Sequence, residues 1–425
     1  MKSIFARLRK NAVIDTLCTL EGNAKPCLYL EPLWGIPYNL YTPFVSVYMA
    51  ALGMSPTQIG LISTIFLASQ MVWALLSGVL TDKLGRRLCT AIFDCISWSV
   101  PALLWMLAQD FRWFVVAALF NGAWRVTETS WDLLMIEDAP ESKLVHMYTI
   151  SSIAGLLAGF VAPLAYFFVQ RLTIVPAVRI IYGFTFLMMT SKFIILYFLT
   201  KETSVGKRRM AETKNVGLFT RLWDSRKVLV RMLHSRRILL TVAFIACYSG
   251  ICNINNAFWP LLITEKLGIP TENLSIFFTF KTLFMLVCYF VIAPKLDVRY
   301  FRSPVVLALG LLIAQQVLML LMPTGAFWLV VVAVILEALA LSVLGPMCGS
   351  LQMINIDREE RARMLGFFYA MCMLFTSPLG SLAGIAAEAD RANPFWMNLV
   401  LTLIAITLAL VLWRERRTDL LEEAN

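Results

Sequence analysis

An all-α membrane protein, with twelve transmembrane helices in two pseudo-symmetric six-helix bundles, is the fold class that three observations predict. The 425 residues are 59% hydrophobic and 15% charged, whereas a soluble domain carries about a quarter of its residues charged. Twelve apolar runs follow one another along the chain, each near the roughly 20 residues that one bilayer crossing takes. One long basic stretch divides those runs six and six, and the two halves share residues at a fixed offset. A mean hydropathy of +0.73 agrees with that load.

In chain order, spans bounded by charge or turn residues run from Leu33 to Ala51, Ile59 to Leu80, Leu88 to Ala108, Trp113 to Met135, Met147 to Val169 and Ile180 to Leu199. After the basic stretch come Ile238 to Ile263, Leu274 to Ala293, Pro304 to Met322, Phe327 to Met347, Met364 to Ala387 and Phe395 to Trp413. The expected organisation is a cytoplasmic amino-terminal segment at 1–30, a six-helix bundle at 31–199, a cytoplasmic linker at 200–237, a second bundle at 238–413 and a cytoplasmic tail at 414–425. Within the linker, Leu218, Leu222, Leu229 and Leu233 mark an amphipathic surface helix over Gly217 to Leu233, and the rest reads as solvated chain.

The formal net charge of +10 does not point to nucleic acid, because 29 of the 37 Lys and Arg fall in the terminal segments and alternate loops. That asymmetry follows the positive-inside rule. It predicts a multi-pass protein of the cell membrane with both termini cytoplasmic, whose basic loops meet anionic headgroups. Asp15, Glu21 and Pro26 interrupt any cleavable signal core, so an uncleaved, interfacial amino-terminal segment is expected. Nine Cys with no C-x-x-C pair indicate neither a disulfide framework nor a zinc site.

The halves align at an offset of 215, which pairs Gly78 and Asp82 with Ala293 and Asp297, and Ala162-Pro163 with Ser377-Pro378. Such duplication is common in transporter folds. From Gly78 to Arg87 the chain reads G-V-L-T-D-K-L-G-R-R. This resembles the signature loop of the major facilitator superfamily (MFS), G-x-L-x-D-[RK]-x-G-R-[RK], with Gly78, Leu80, Asp82, Gly85, Arg86 and Arg87 matching. The resemblance implies that Asp82 caps the start of span eleven near Arg363 and, with Gly78, Gly85, Arg86 and Arg87, forms a conformational latch of the outward-facing state. The second copy, Ala293 to Arg299, keeps Asp297 but lacks both glycines. In span five, Ala158 to Phe167 keeps Pro163 but not the Gly-Gly end of the family's antiporter signature.

A charged side chain in hydrocarbon costs roughly 2.5 to 3.5 kcal/mol on insertion scales, so each needs a partner or a cavity. Span four carries Arg125, Glu128 and Asp132 along one helix face. Arg125 and Glu128 form either a self-satisfied pair or a proton-coupling pair, and Asp132 is expected to meet Arg86 or Arg87. Lys281 and Glu337 lie about 14 and 16 Å from the outer ends of spans eight and ten, a depth match that predicts either a static bridge or a proton-gated lock. Asp94 and Lys192 read as a structural pair. The resemblance places helices one, four, seven and ten around a central cavity. Trp34, Tyr38, Tyr41 and Tyr48 form an aromatic stripe on span one, and Asn253, Asn255, Asn256, Trp259 and Pro260 cluster on span seven. Tyr38, Tyr41, Trp124, Asn253 and Asn256 are the candidate substrate-cavity residues, with bundle packing as the alternative for the stripe and interhelical glue for the amides.

Both histidines fall in or beside loops, and no P-loop or G-x-S-x-G occurs, so no enzyme activity, metal or cofactor is expected. The expected function is secondary active transport of a small organic solute, coupled to protons, by a protein acting as a monomer. The antiporter fragment and aromatic stripe lean to efflux of amphipathic compounds, whereas the amides and the charged span four suit uptake of a polar nutrient such as a sugar. A receptor or scaffold using the basic linker is the alternative from another class.

Overall fold

The computed structural model describes residues 12–140, 144–214, 217, 226–292, 302–354 and 361–422. Local chemistry sets where each helix starts and stops. Span two, Pro56–Leu84, opens on a capping box in which the Gln58 N–H donates to Ser55 Oγ and the Ser55 N–H donates to Gln58 Oε1. It stops at Gly85, whose φ of 81° is open to glycine, and span three, Arg86–Leu107, begins at the next residue. Asp110 caps span four and Ser235 caps span seven. Span one is broken: Pro32–Tyr41 passes through a tight turn at Thr42–Phe44 into Val45–Ala51, where Pro43 supplies no backbone N–H. Span four breaks between Phe111–Asn121 and Trp124–Ile136 around Gly122, which sits against Ser69 of span two.

The remaining spans are Leu144–Leu172 with a tight turn at Gly159–Val161, Ile174–Leu199, Arg236–Lys266, Asn273–Val291, Arg302–Leu321, Phe327–Ile354, Arg361–Ala389 and Asn393–Glu422. Each of the twelve expected segments contains helix among the described residues. Nine helices among the described residues are long and apolar enough to cross a membrane. The other three are the broken spans one and four and the shorter span eight.

Two expectations for the polar segments need correction. The linker is not wholly solvated chain: Ser204–Thr213 is a helix capped by Thr203, and its Thr213 hydroxyl donates to the Asp82 carbonyl at the end of span two. Of the amphipathic linker helix, Arg226–His234 is described, with Val228 and Met232 buried against the second bundle. The amino-terminal segment folds against the first bundle as Ala12–Cys18 and Ala24–Tyr29, where Leu20, Cys27 and Leu28 bury against Leu134, Met135, Met147 and Leu196.

On the side away from the termini, termed outer below, the two bundles are sealed together. Phe44, Val47 and Tyr48 of span one share a buried cluster with Ile254, Phe258 and Leu261 of span seven. Spans two and eleven cross backbone to backbone. A Cβ on Gly60 would lie 2.2 Å from the Gly380 carbonyl oxygen, and one on Gly384 would lie 2.7 Å from that of Pro56. Polar clasps run along this seam, with Thr57 Oγ1 donating to Glu388 Oε2, Thr64 Oγ1 donating to the Ser377 carbonyl, and Ser63 bonded to Asn253. On the inner side, the buried clusters among the described residues each belong to a single bundle. This is the outer-closed arrangement.

Beyond the seal, Lys266 Nζ bonds both Asp390 oxygens at 2.7 and 2.9 Å. That ammonium, aided by the Ala392 N–H, holds the Asp390 carboxyl below its usual range. A lowered folded-state value means that the contact is fully present above the unfolded value, near pH 4, and is lost only as pH falls through the lower one. Asp390→Asn is therefore expected to leave the pH profile of transport between pH 5 and 8 unchanged. A displaced profile in flux assays would count this turn among the pH-sensing elements.

Candidate functional site

Spans seven, eight, ten and twelve of the second bundle bring four polar side chains into one chain of contacts. Lys281 Nζ lies 2.8 Å from Glu337 Oε1, and Asn255 Nδ2 donates to the same oxygen at 3.2 Å. Asn398 of span twelve in turn donates to Asn255 Oδ1 at 2.7 Å. The Glu337 side chain is 5% exposed and that of Lys281 20%. The cluster therefore ties Glu337 of span ten to side chains of three other helices, spans seven, eight and twelve.

The cluster borders a cavity of about 60 Å³ lined by Asn256, Trp259 and Phe277 together with Lys281 and Glu337. Thr42 and Pro43, at the break in span one, supply a wall from the other bundle. A charged pair thus faces a pocket that both bundles wall.

A second charged centre sits in the first bundle. Arg125 donates to Gln70 Oε1 of span two at 3.0 Å and to Glu128 Oε2 at 2.7 Å. Its guanidinium lies over the rings of Trp124, at 4.2 Å, and of Tyr369 from span eleven, at 4.9 Å. The Glu128 side chain is 38% exposed. Arg125 therefore ties spans two, four and eleven together across the bundle interface, while Glu128 stays within reach of water.

At the inner end, Arg86 contacts Asp82 at 3.1 Å and Glu137 at 2.9 Å. Both oxygens of Glu202 accept the backbone N–H groups of Arg86 and Arg87, capping span three with a carboxylate from the linker. Gly85 makes room for this cap, since a Cβ there would lie 2.6 Å from Glu202 Oε2. Gly85→Ala is expected to cost about 1 to 3 kcal/mol through the positive φ alone. A lowered Tm of the purified protein checks it.

Several expected contacts are replaced by others. Arg86 takes Asp82 and Glu137, and Arg87 takes the Tyr197 carbonyl and ring, so neither is the partner of Asp132. Glu137 lies five residues beyond Asp132, at the end of the helix and level with the loop. Lys192 does attract Asp94 as expected, and it also bonds Glu31 at 3.3 Å, because the start of span one reaches the interior. Tyr41 is buried among Trp105 and Tyr182, and Tyr38 stacks on Trp34 beside Trp98, so the aromatic stripe packs within the first bundle and its next residues, Thr42 and Pro43, meet the cavity. Asn253 belongs to the seam with Ser63, whereas Asn255 and Asn256 line the pocket. Trp124 packs on Arg125. Gly78 meets nothing within 4 Å of an added Cβ. The side chains at 361–363, where Asp82 was expected to cap span eleven, and the second motif copy, Ala293 to Arg299, lie outside what is described.

Asn398, Gln70, Tyr369, Glu202 and the Gly60, Gly380 and Gly384 crossing were not anticipated. The Gly380-x-x-x-Gly384 spacing is a readable signal for close helix approach. Single amides in long apolar helices carry no such pattern.

The sequence profile of the Major Facilitator Superfamily matches residues 35–374 and, in a second alignment, 247–424. The chain belongs to this family. It is a multi-pass membrane protein of a transporter family. Among solved structures, nucleoside transporter NupG superposes with a TM-score of 0.68 at 14% identity, covering 92% of this chain and 98% of that one. A D-xylose-proton symporter superposes with a TM-score of 0.69 at 15% identity, covering 91% and 97%. At these identities the likeness is one of fold. Among curated proteins, the quinolone resistance protein NorA of Staphylococcus aureus is 30% identical over 84 residues, which is 20% of this chain. The match spans only 21% of the length of that relative.

Proposed function

We propose that this MFS protein is a proton-coupled secondary transporter of a small organic solute in the cell membrane, with both termini cytoplasmic, and that Glu337 carries the coupling proton. The observation that supports this is the buried Lys281–Glu337 pair, set in a pocket that both bundles wall. Protonating Glu337 removes the charge that holds Lys281 and Asn255, and so loosens three helices at the point where the bundles meet. Arg125 and Glu128 form the partner centre in the other bundle, with Asp82, Arg86 and Arg87 as the inner latch.

Proton loading that frees Lys281 for the solute makes the two cargoes travel together, which favours uptake. The efflux alternative has lost the aromatic stripe as support, and the short likeness to NorA is what favours it. The receptor or scaffold alternative predicts no flux. The test is a thermal-stability shift of the purified protein against sugars, amino acids, nucleosides, organic anions and lipophilic cations at two pH values, followed by flux of any hit in proteoliposomes. A stabilising ligand raises Tm by binding the folded state alone. A hit whose shift depends on pH and which crosses the membrane supports the proposal, and a binding compound that never crosses overturns it.

A further inference from the structure

The pocket offers donors with spare hydrogen-bonding capacity. Glu337 Oε1 is already engaged by both Lys281 and Asn255. Lys281 has three N–H groups, of which Glu337 takes one. Trp259 lines the same pocket, and its buried indole N–H has no partner among the described residues. Asn256 adds an exposed amide. Trp259 and Phe277 stand edge to face at 6.0 Å and give the pocket its apolar walls.

Charge restricts the occupant further. With Glu337 ionised and the pocket empty, the pair is neutral. With Glu337 protonated, Lys281 is an uncompensated buried cation, a costly state. A cationic solute would add a second positive charge to it, and a neutral one would leave it as it is. An anionic solute restores neutrality, so the empty and loaded forms are both neutral when the bundles rock through the bilayer.

We propose that the pocket binds the carboxylate of an aromatic organic acid, with Lys281 and the Trp259 N–H as its donors. The proposal rests on the transport reading above and names its substrate class. One proton goes to Glu337, the solute carboxylate replaces Glu337 on Lys281, and both leave on the other side. The cavity is about 60 Å³. It fits a head group, with the aromatic body against Trp259 and Phe277. The charged or titratable groups facing Glu337 are Lys281 from span eight and the Cys252 thiol from span seven. Span nine, packed on the same helix, has no ionisable side chain from Ser303 to Leu321, and span one brings the uncharged Thr42 and Pro43.

The test uses the full chain in detergent or nanodiscs. Benzoate and 2-naphthoate are compared with benzamide, 2-naphthamide and the matching aromatic amines at pH 6 and pH 8, where both acids are ionised. The carboxylates should bind at least ten-fold more tightly at pH 6 than at pH 8, and the amides and amines should show no such preference. Glu337→Gln should bind the carboxylates with no pH dependence, Lys281→Gln should lose them at least ten-fold, and Lys281→Arg should keep them. Should Lys281→Gln fail to fold, the Glu337→Gln profile decides. Pocket binding of amines or neutral amides in preference to acids would overturn the substrate class while leaving transport intact. Absence of proton-linked flux with every ligand that binds would instead overturn the transport reading.

Discussion

Glu337→Gln is expected to abolish proton-driven accumulation of the solute while sparing exchange of solute across the membrane without a gradient. The substitution keeps the volume and the hydrogen bond from Asn255, but it fixes the site in the uncharged form. Exchange needs only that the loaded protein reorient, whereas accumulation needs the site to release its proton. Accumulation in proteoliposomes under an inward proton gradient should fall at least about ten-fold, which corresponds to about 1.4 kcal/mol of lost coupling. The same change leaves Lys281 without its carboxylate, and breaking a buried pair from one side costs about 3 to 5 kcal/mol. A double substitution, Glu337→Gln with Lys281→Gln, should therefore unfold less easily than the single Glu337→Gln variant. Equal accumulation by parent and variant would remove Glu337 from the mechanism.

Gly60→Leu is expected to hold the outer side open and to stop transport altogether. An added Cβ would sit 2.2 Å from the Gly380 carbonyl oxygen and 2.8 Å from the Gly384 Cα. Both are backbone atoms of span eleven, so no rotamer change relieves the contact and the helices must part. Parting them also pulls Thr57 from Glu388 and Thr64 from Ser377. An Asn256→Cys thiol, scored against the same protein without it, should react with a membrane-impermeant maleimide from outside far faster in the Gly60→Leu background. Unchanged labelling together with unchanged flux would show that the crossing does not gate the outer side.

The apolar helices were legible in the residue pattern because membrane insertion acts on each segment separately. A run of apolar residues, or a Lys in a loop, meets the bilayer wherever the rest of the chain lies. The Lys281–Glu337 pair was legible for a related reason, since two buried opposite charges at equal depth have few other partners. Periodicity assigns a residue to a helix face but not to a neighbour, so Tyr38 and Tyr41 were placed on the right helix and toward the wrong space. The error at Asp132 has another cause: the acid that holds Arg86, Glu137, stands at a helix end, as does Glu31, which joins Asp94 at Lys192. The polar network beyond Glu337 depends on Asn398, which is an isolated amide in an apolar helix until the fold sets it against Asn255.

Proton coupling through the pocket is tested most directly by recording external pH while solute is added to weakly buffered proteoliposomes with no imposed gradient. Solute entering with its proton should make the outside more alkaline in step with uptake, and Glu337→Gln should erase the signal. Uptake with no change of pH, or the same change in the Glu337→Gln variant, would contradict the mechanism.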